Sequence, residues 1–349
     1  GCSIEFLHLA TQTFWRTRFG TDCNRVRNTA SFSRIAVNSC PQELLEGYPI
    51  DKVPLAVHVP MNPESPVPEG AFAGVPRLRH ASVESGIRLI GPEAWHSCRQ
   101  LRIVKLPSTV VSISDNAFRS CKLLNSVTAP GCREFGYKAF DERCSLQWVY
   151  TTEDNANRFS SCTKFGHYLF RGCINLAEFT LRESPSPSEL PSQSTASDLA
   201  LGCLSSTGIA TLTLPQSFKV IGAHACDNCH LLKKVDLSNT QIEEIQEFTF
   251  VHCTSLNEVR LPKTLHTIRV KAFMNAALPE LATPLSLLEY TASRAFLDCT
   301  AFKRLVKLPG RHKWRGVYAE ENAFAICPNM RWPPWLHMIP DTGYVSGLA

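Results

Sequence analysis

An aromatic residue recurs along this chain every 22 to 23 positions through Trp95, Phe118 and Phe140, and that spacing limits the fold more than any other feature. The series continues through Phe72, Phe170, Phe250, Phe273, Phe296 and Phe324, with Cys203 and Cys226 in the slot where a ring is missing. Eleven units result, most of them 22 to 24 residues long. Other slots keep the same register. Cys98, Cys121, Cys173, Cys229, Cys253, Cys299 and Cys327 stand three residues after the ring slot, where Ser206 and Ala276 are small replacements. Leu101, Leu124 and Leu146 stand six after it, and Val104, Val127 and Val149 nine after it. Ile90, Ile113 and Phe135 stand five before it, with a glycine following at 91, 136, 166 and 222.

Val104-Lys105-Leu106 alternates inward and outward, the period of a strand. One such strand per coil, stacked at about 4.8 Å, builds a continuous curved parallel sheet. Pro107 ends its strand, the glycine supplies a residue tolerant of positive φ at the next bend, and the ring fills the core from the opposite wall. No coil of this size buries these groups alone, so coils must stack. The units run over residues 50–333, behind a non-repetitive basic arm at 1–49 and ahead of a cap or tail at 334–349. A Ser/Pro-rich insertion at 183–198 lacks any hydrophobic period and reads as a loop. In the ninth unit, MNAALPELATPL has lost both the cysteine and the strand alternation.

The segments VVSISDNAFRSCKLL and LNEVRLPKTLHTIRVKAF resemble the BspA-like, or Treponema-type, leucine-rich repeats. That consensus runs Leu-x-x-Ile-x-Leu-Pro, then Ile-Gly, then Ala-Phe-x-x-Cys-x-x-Leu. The resemblance implies an α/β repeat solenoid and a role in binding other proteins, as an assembly scaffold or a surface adhesin rather than an enzyme. A subunit of a larger intracellular assembly is the expected role, with a cell-surface adhesin as the alternative.

Composition narrows the function further. A formal net charge of +5 over 349 residues suggests neither a nucleic-acid groove nor a membrane-surface helix, which need basic residues gathered on one face. No apolar run is long enough for a spanning helix. The 15 cysteines cannot all pair within one chain, and no asparagine begins an Asn-x-Ser/Thr acceptor, which leans towards an intracellular location. Cys226-Asp-Asn-Cys229-His230 matches the c-type haem pattern and, with His224, half a zinc site. Both cysteines fall in inward slots, where a free thiol behaves as a small hydrophobe, so no metal or cofactor is expected. No nucleophile elbow, phosphate loop or His-Glu-x-x-His occurs, and a small-molecule ligand is not expected.

The candidate site is therefore a surface. Residues flanking each buried valine point to the exposed sheet face: Ile103 and Lys105, Ser126 and Thr128, Trp148 and Tyr150, Glu178 and Thr180, Thr211 and Thr213, Lys234 and Asp236, Glu258 and Arg260. Only the fourth coil places two large aromatics there, beside Arg143, which interrupts the cysteine pattern. Trp148, Tyr150, Arg143, Lys105, Lys234 and Arg260 are the expected partner-binding residues, since Trp, Tyr and Arg dominate binding hot spots. The alternative is that the Ser/Pro-rich loop folds back over both rings.

Overall fold

The computed structural model describes residues 56–59, 66–142, 144–151, 159, 162–181, 196–283, 288–307 and 317–340. The basic arm, Arg143 and most of the Ser/Pro-rich insertion lie outside these. The chain divides into two compact units, Gly1–Asn157 and Arg158–Ala349.

In the first unit, Ala56–Val59, His80–Val83, Ile103–Lys105, Ser126–Thr128 and Trp148–Tyr150 form a five-stranded parallel sheet in chain order. Val104, Val127 and Val149 are in register and face inward. A second parallel ladder runs through Leu89–Ile90, Ser112–Ile113 and Glu134–Phe135. The second unit repeats the plan. Thr211–Thr213, Lys234–Asp236, Glu258–Arg260, Glu280–Thr283 and Arg304–Lys307 form one sheet. Asp198–Leu199, Val220–Ile221, Glu244–Ile245, Thr267–Ile268, Tyr290–Thr291, Val317–Glu320 and Leu336–Ile339 form the other.

Most described coils thus carry two strands where the pattern predicts one, because the Ile slot is itself a strand. The ninth unit keeps its strand as well, with Leu281 buried and Glu280–Thr283 paired to Arg304–Lys307. Glu178 and Thr180 flank the buried Phe179 as expected, but they lie outside the named strands.

The α of the expected α/β class is corrected: no helix occurs among the described residues. The wall carrying the rings shows why. In every ring-bearing coil before that of Phe324, the residues two before and two after the ring adopt left-handed φ, as at Asn116 (φ 55°) and Ser120 (φ 60°) around Phe118. Amide hydrogens then alternate in direction. Asn116, Phe118 and Ser120 donate to Tyr137, Ala139 and Asp141 of the next coil, while Ala117, Arg119 and Cys121 close turns onto Ser114, Asn116 and Phe118 of their own. A helix would send every amide to its own coil and could not tolerate a left-handed residue each turn. Each left-handed non-glycine costs about 1 kcal/mol or more, which the ladder between coils offsets.

The same alternation corrects the register. Gly202 (φ 60°) and Ser206 (φ 56°) bracket Leu204, and Phe170 N–H donates to Cys203 as ring residues elsewhere donate to the residue before the next ring. Leu204, rather than Cys203, therefore fills the ring slot, and Thr207, rather than Ser206, the cysteine slot. The glycines after the Ile slot also differ from expectation. Gly91, Gly136 and Gly222 do not have positive φ; they permit close approach, since a Cβ on Gly91 would stand 2.3 Å from the Val67 carbonyl oxygen.

The rings form stacked columns. Phe72, Trp95, Phe118 and Phe140 stack at 5.2, 5.3 and 5.4 Å. Phe250, Phe273, Phe296 and Phe324 do so at 5.3, 5.3 and 5.0 Å. Trp332 meets Phe324 edge-on, while Leu336–Ile339 extends the sheet by one more strand.

Candidate functional site

Because Val149 points inward, Trp148 and Tyr150 must share the outer face of their strand. Trp148 is 39% exposed, Tyr150 is half-buried, and the rings stack at 6.2 Å and 4°. They occupy the last strand of the first unit's five-stranded sheet, opposite Ser126 and Thr128. Lys105 is exposed in the same column as Tyr150, two coils away through Thr128. Arg143 lies outside the described residues, so its expected place beside the rings has no structural counterpart.

Sequence reasoning missed a set of cations on and beside this sheet. Arg79, Arg99, Arg102 and Lys122 are exposed alongside Lys105. Arg102 N–H donates to the Arg79 carbonyl, which sets these residues one above the other in adjacent coils. Arg99 and Lys122 each follow a column cysteine and occupy equivalent positions of adjacent coils. Among the described residues, none of these five cations forms an ion pair with a carboxylate. The signal was present in the chain: residues 75–83, 98–106, 121–128 and 144–151 contain no Asp or Glu. The modest net charge concealed it by averaging over acidic residues on other walls.

Lys234 and Arg260, in the second unit, behave differently. Lys234 reaches Glu258 at 3.0 Å, and Arg260 reaches Glu258 at 3.0 Å and Asp236 at 3.5 Å. Arg304 pairs with Glu280 at 2.8 Å on the same sheet. Hydrogen bonding from Lys234, then the charges of Lys234 and Arg260, hold the Glu258 carboxyl below the usual range. The structure therefore gathers Trp148, Tyr150 and Lys105 on one sheet, and commits Lys234 and Arg260 to a cross-strand ion ladder on another.

The cysteine column has a chemical role beyond size. Cys98 Sγ donates to the Phe72 carbonyl at 2.9 Å, Cys121 to Trp95 at 3.0 Å, Cys253 to Cys226 at 3.1 Å and Cys299 to Phe273 at 3.0 Å. The Trp95 carbonyl also accepts the Cys98 amide, so the two donors satisfy both its lone pairs. Cys144, displaced by one residue, still reaches Phe118 at 3.6 Å. Cys226 and Cys229 are fully buried, Cys229 Sγ donates to the Leu204 carbonyl at 3.0 Å, and His230 is exposed. The elements of the Cys-x-x-Cys-His motif thus face different surroundings, and no metal-binding group of three or more His, Cys, Asp or Glu occurs among the described residues.

Burial pushes the Cys98 thiol up to about 12. An unfolded thiol ionises near pH 8.5. The folded state therefore holds its proton longer, so stability is full below about pH 8.5 and declines as pH rises towards 12. Urea unfolding should show wild-type stability falling faster than that of Cys98→Ala, by about 1 kcal/mol per pH unit above pH 9. Parallel curves would contradict the buried thiol.

A family model described as the BspA type leucine rich repeat region matches six copies over residues 62–162 and 188–303. No curated protein matches the chain. Among solved structures, a leucine rich repeat protein of T. pallidum is 22% identical, covering 56% of this chain and 75% of its own with a TM-score of 0.37. One from Bacteroides ovatus is 21% identical, covering 81% and 92%, with a TM-score of 0.32. A leucine rich cell surface protein of Faecalibacterium prausnitzii is 18% identical, covering 88% and 84%, with a TM-score of 0.39.

Proposed function

The chain belongs to the BspA-type leucine-rich-repeat family, and on that premise we propose that it is a non-enzymatic protein-binding scaffold, a structural subunit of a larger intracellular assembly. Its contact surface is the exposed sheet face of the first unit. The observation that carries this reading is the stacked Trp148–Tyr150 pair, partly exposed on a sheet face whose other residues include Lys105, Ser126 and Thr128. Two rings already held against each other lose little side-chain freedom on binding, and aromatic anchors of this kind dominate interfaces. An intracellular setting is supported by the column thiols, which act as S–H donors and so belong in a reducing compartment.

The test is a Trp148→Ala, Tyr150→Ala double variant, compared with wild type for affinity to a partner identified by copurification. The variant should keep its circular dichroism spectrum, because neither side chain belongs to the core, and should lose about 2 kcal/mol or more of binding. Unchanged affinity would exclude this face as the principal contact.

A further inference from the structure

Resting on the protein-binding reading above, we propose that the partner presents an acidic polypeptide segment to the first unit's basic wall, lying across Arg79, Arg102, Arg99, Lys122 and Lys105 beside the Trp148–Tyr150 pair. Parallel stacking brings equivalent residues of adjacent coils to about 4.8 Å. Arg79 and Arg102 therefore form one vertical pair of like charges and Arg99 and Lys122 another. These four residues flank the strands rather than lie in them, and like charges stacked in adjacent coils repel. The second unit avoids this on its own sheet by alternating sign, with Lys234 against Glu258, Asp236 against Arg260 and Glu280 against Arg304. In the first unit Arg119 pairs with Glu142, but among the described residues Arg79, Arg99, Arg102, Lys105 and Lys122 form no ion pair. A patch of one sign is stabilised when an anionic ligand arrives, and a bound carboxylate row supplies the opposite charge these stacked cations lack.

An acidic segment fits better than nucleic acid. Base recognition on single strands uses aromatic faces open to stacking. Here the two rings stack on each other at 6.2 Å, which takes one face of each, and the five cations follow the coil stacking rather than a single groove between open rings. Their arrangement suits an apolar side chain of a peptide against the exposed ring edges, with its carboxylates on the adjacent arginines.

The experiment is fluorescence anisotropy of the full chain with labelled octaglutamate at low ionic strength. Wild type should bind, and the affinity should fall steeply with added salt, since exposed charges are screened beyond about 10 Å at 0.1 M. Arg79→Glu with Arg102→Glu should weaken binding at least about tenfold, while Arg304→Glu in the ion ladder should leave it within about twofold. Arg79, Arg102 and Arg304 are all exposed, and circular dichroism will show the fold retained. Undiminished binding by the double reversal would overturn the proposal. So would oligouridylate binding more tightly than octaglutamate and displacing it, which would make the wall a nucleic-acid surface. The copurified partner separates this inference from the reading beneath it. Loss with Trp148→Ala, Tyr150→Ala but not with the charge reversal sinks the acidic segment alone; no loss with either sinks the sheet face.

Discussion

Phe118→Ala should destabilise the protein by about 3–5 kcal/mol, the range for deleting a buried aromatic. Phe118 is fully buried and stacked on both sides, at 5.3 Å from Trp95 and 5.4 Å from Phe140. Truncation removes two ring contacts as well as apolar area. The cavity cannot close by sliding, because the Phe118 amide is held by the Ala139 carbonyl and the Phe118 carbonyl by Cys121 N–H. Leu204 and Cys226 show that a smaller residue can fill this slot, but Phe118 has rings above and below. Each coil is supported by its neighbours, so the loss should broaden the urea transition as well as shift it. A loss below about 1 kcal/mol would mean the ring columns contribute little to cohesion.

Gly208→Ala should cost about 3 kcal/mol, the upper end for overpacking. A Cβ there would stand 2.2 Å from the Ile174 carbonyl oxygen, a backbone atom that no rotamer change can move. The cause is a shortened coil. Leu101 and Leu124 stand three residues after their column cysteines, whereas Ile209 stands two after Thr207, and the chain crosses the missing residue by pressing Gly208 against the coil beneath. Gly74→Ala is the control. It has φ 72° but nothing within 4 Å of the added carbon, so it should cost only about 1 kcal/mol. Equal unfolding midpoints for the two variants would show that backbone crowding at Gly208 is not limiting.

Much of the fold was legible in the chain because burial recurs at a fixed spacing. The inward valines, the ring columns and the outward placing of Trp148 and Tyr150 all follow from that period. The second strand of each coil was not legible, since two residues such as Ser112–Ile113 are too few to show alternation. The one-residue slip at Cys203 arose because a cysteine beside a leucine leaves two equally apolar choices for the slot, and only the left-handed pair at Gly202 and Ser206 distinguishes them. The carboxylates that Lys234 and Arg260 meet were not legible, because a row of outward residues does not show which neighbours one coil away each one reaches.

By itself, then, the sequence determined a stacked repeat with a buried apolar wall and an outward aromatic pair, because hydrophobic periodicity along the chain translates directly into inside and outside. The tertiary structure decided everything that depends on neighbours one coil away. Residues about 23 positions apart come to lie side by side, so stacking alone settles whether a charge meets its opposite, as Lys234 meets Glu258, or its like, as Arg79 meets Arg102. It also settles where amides and thiols donate, because half the donors of the ring wall find their acceptors only in the next coil, and the Cys121 thiol finds its own in the one before. Local propensity carries no information about either, since hydrogen bonds and charge pairs between coils exist only once the coils have stacked.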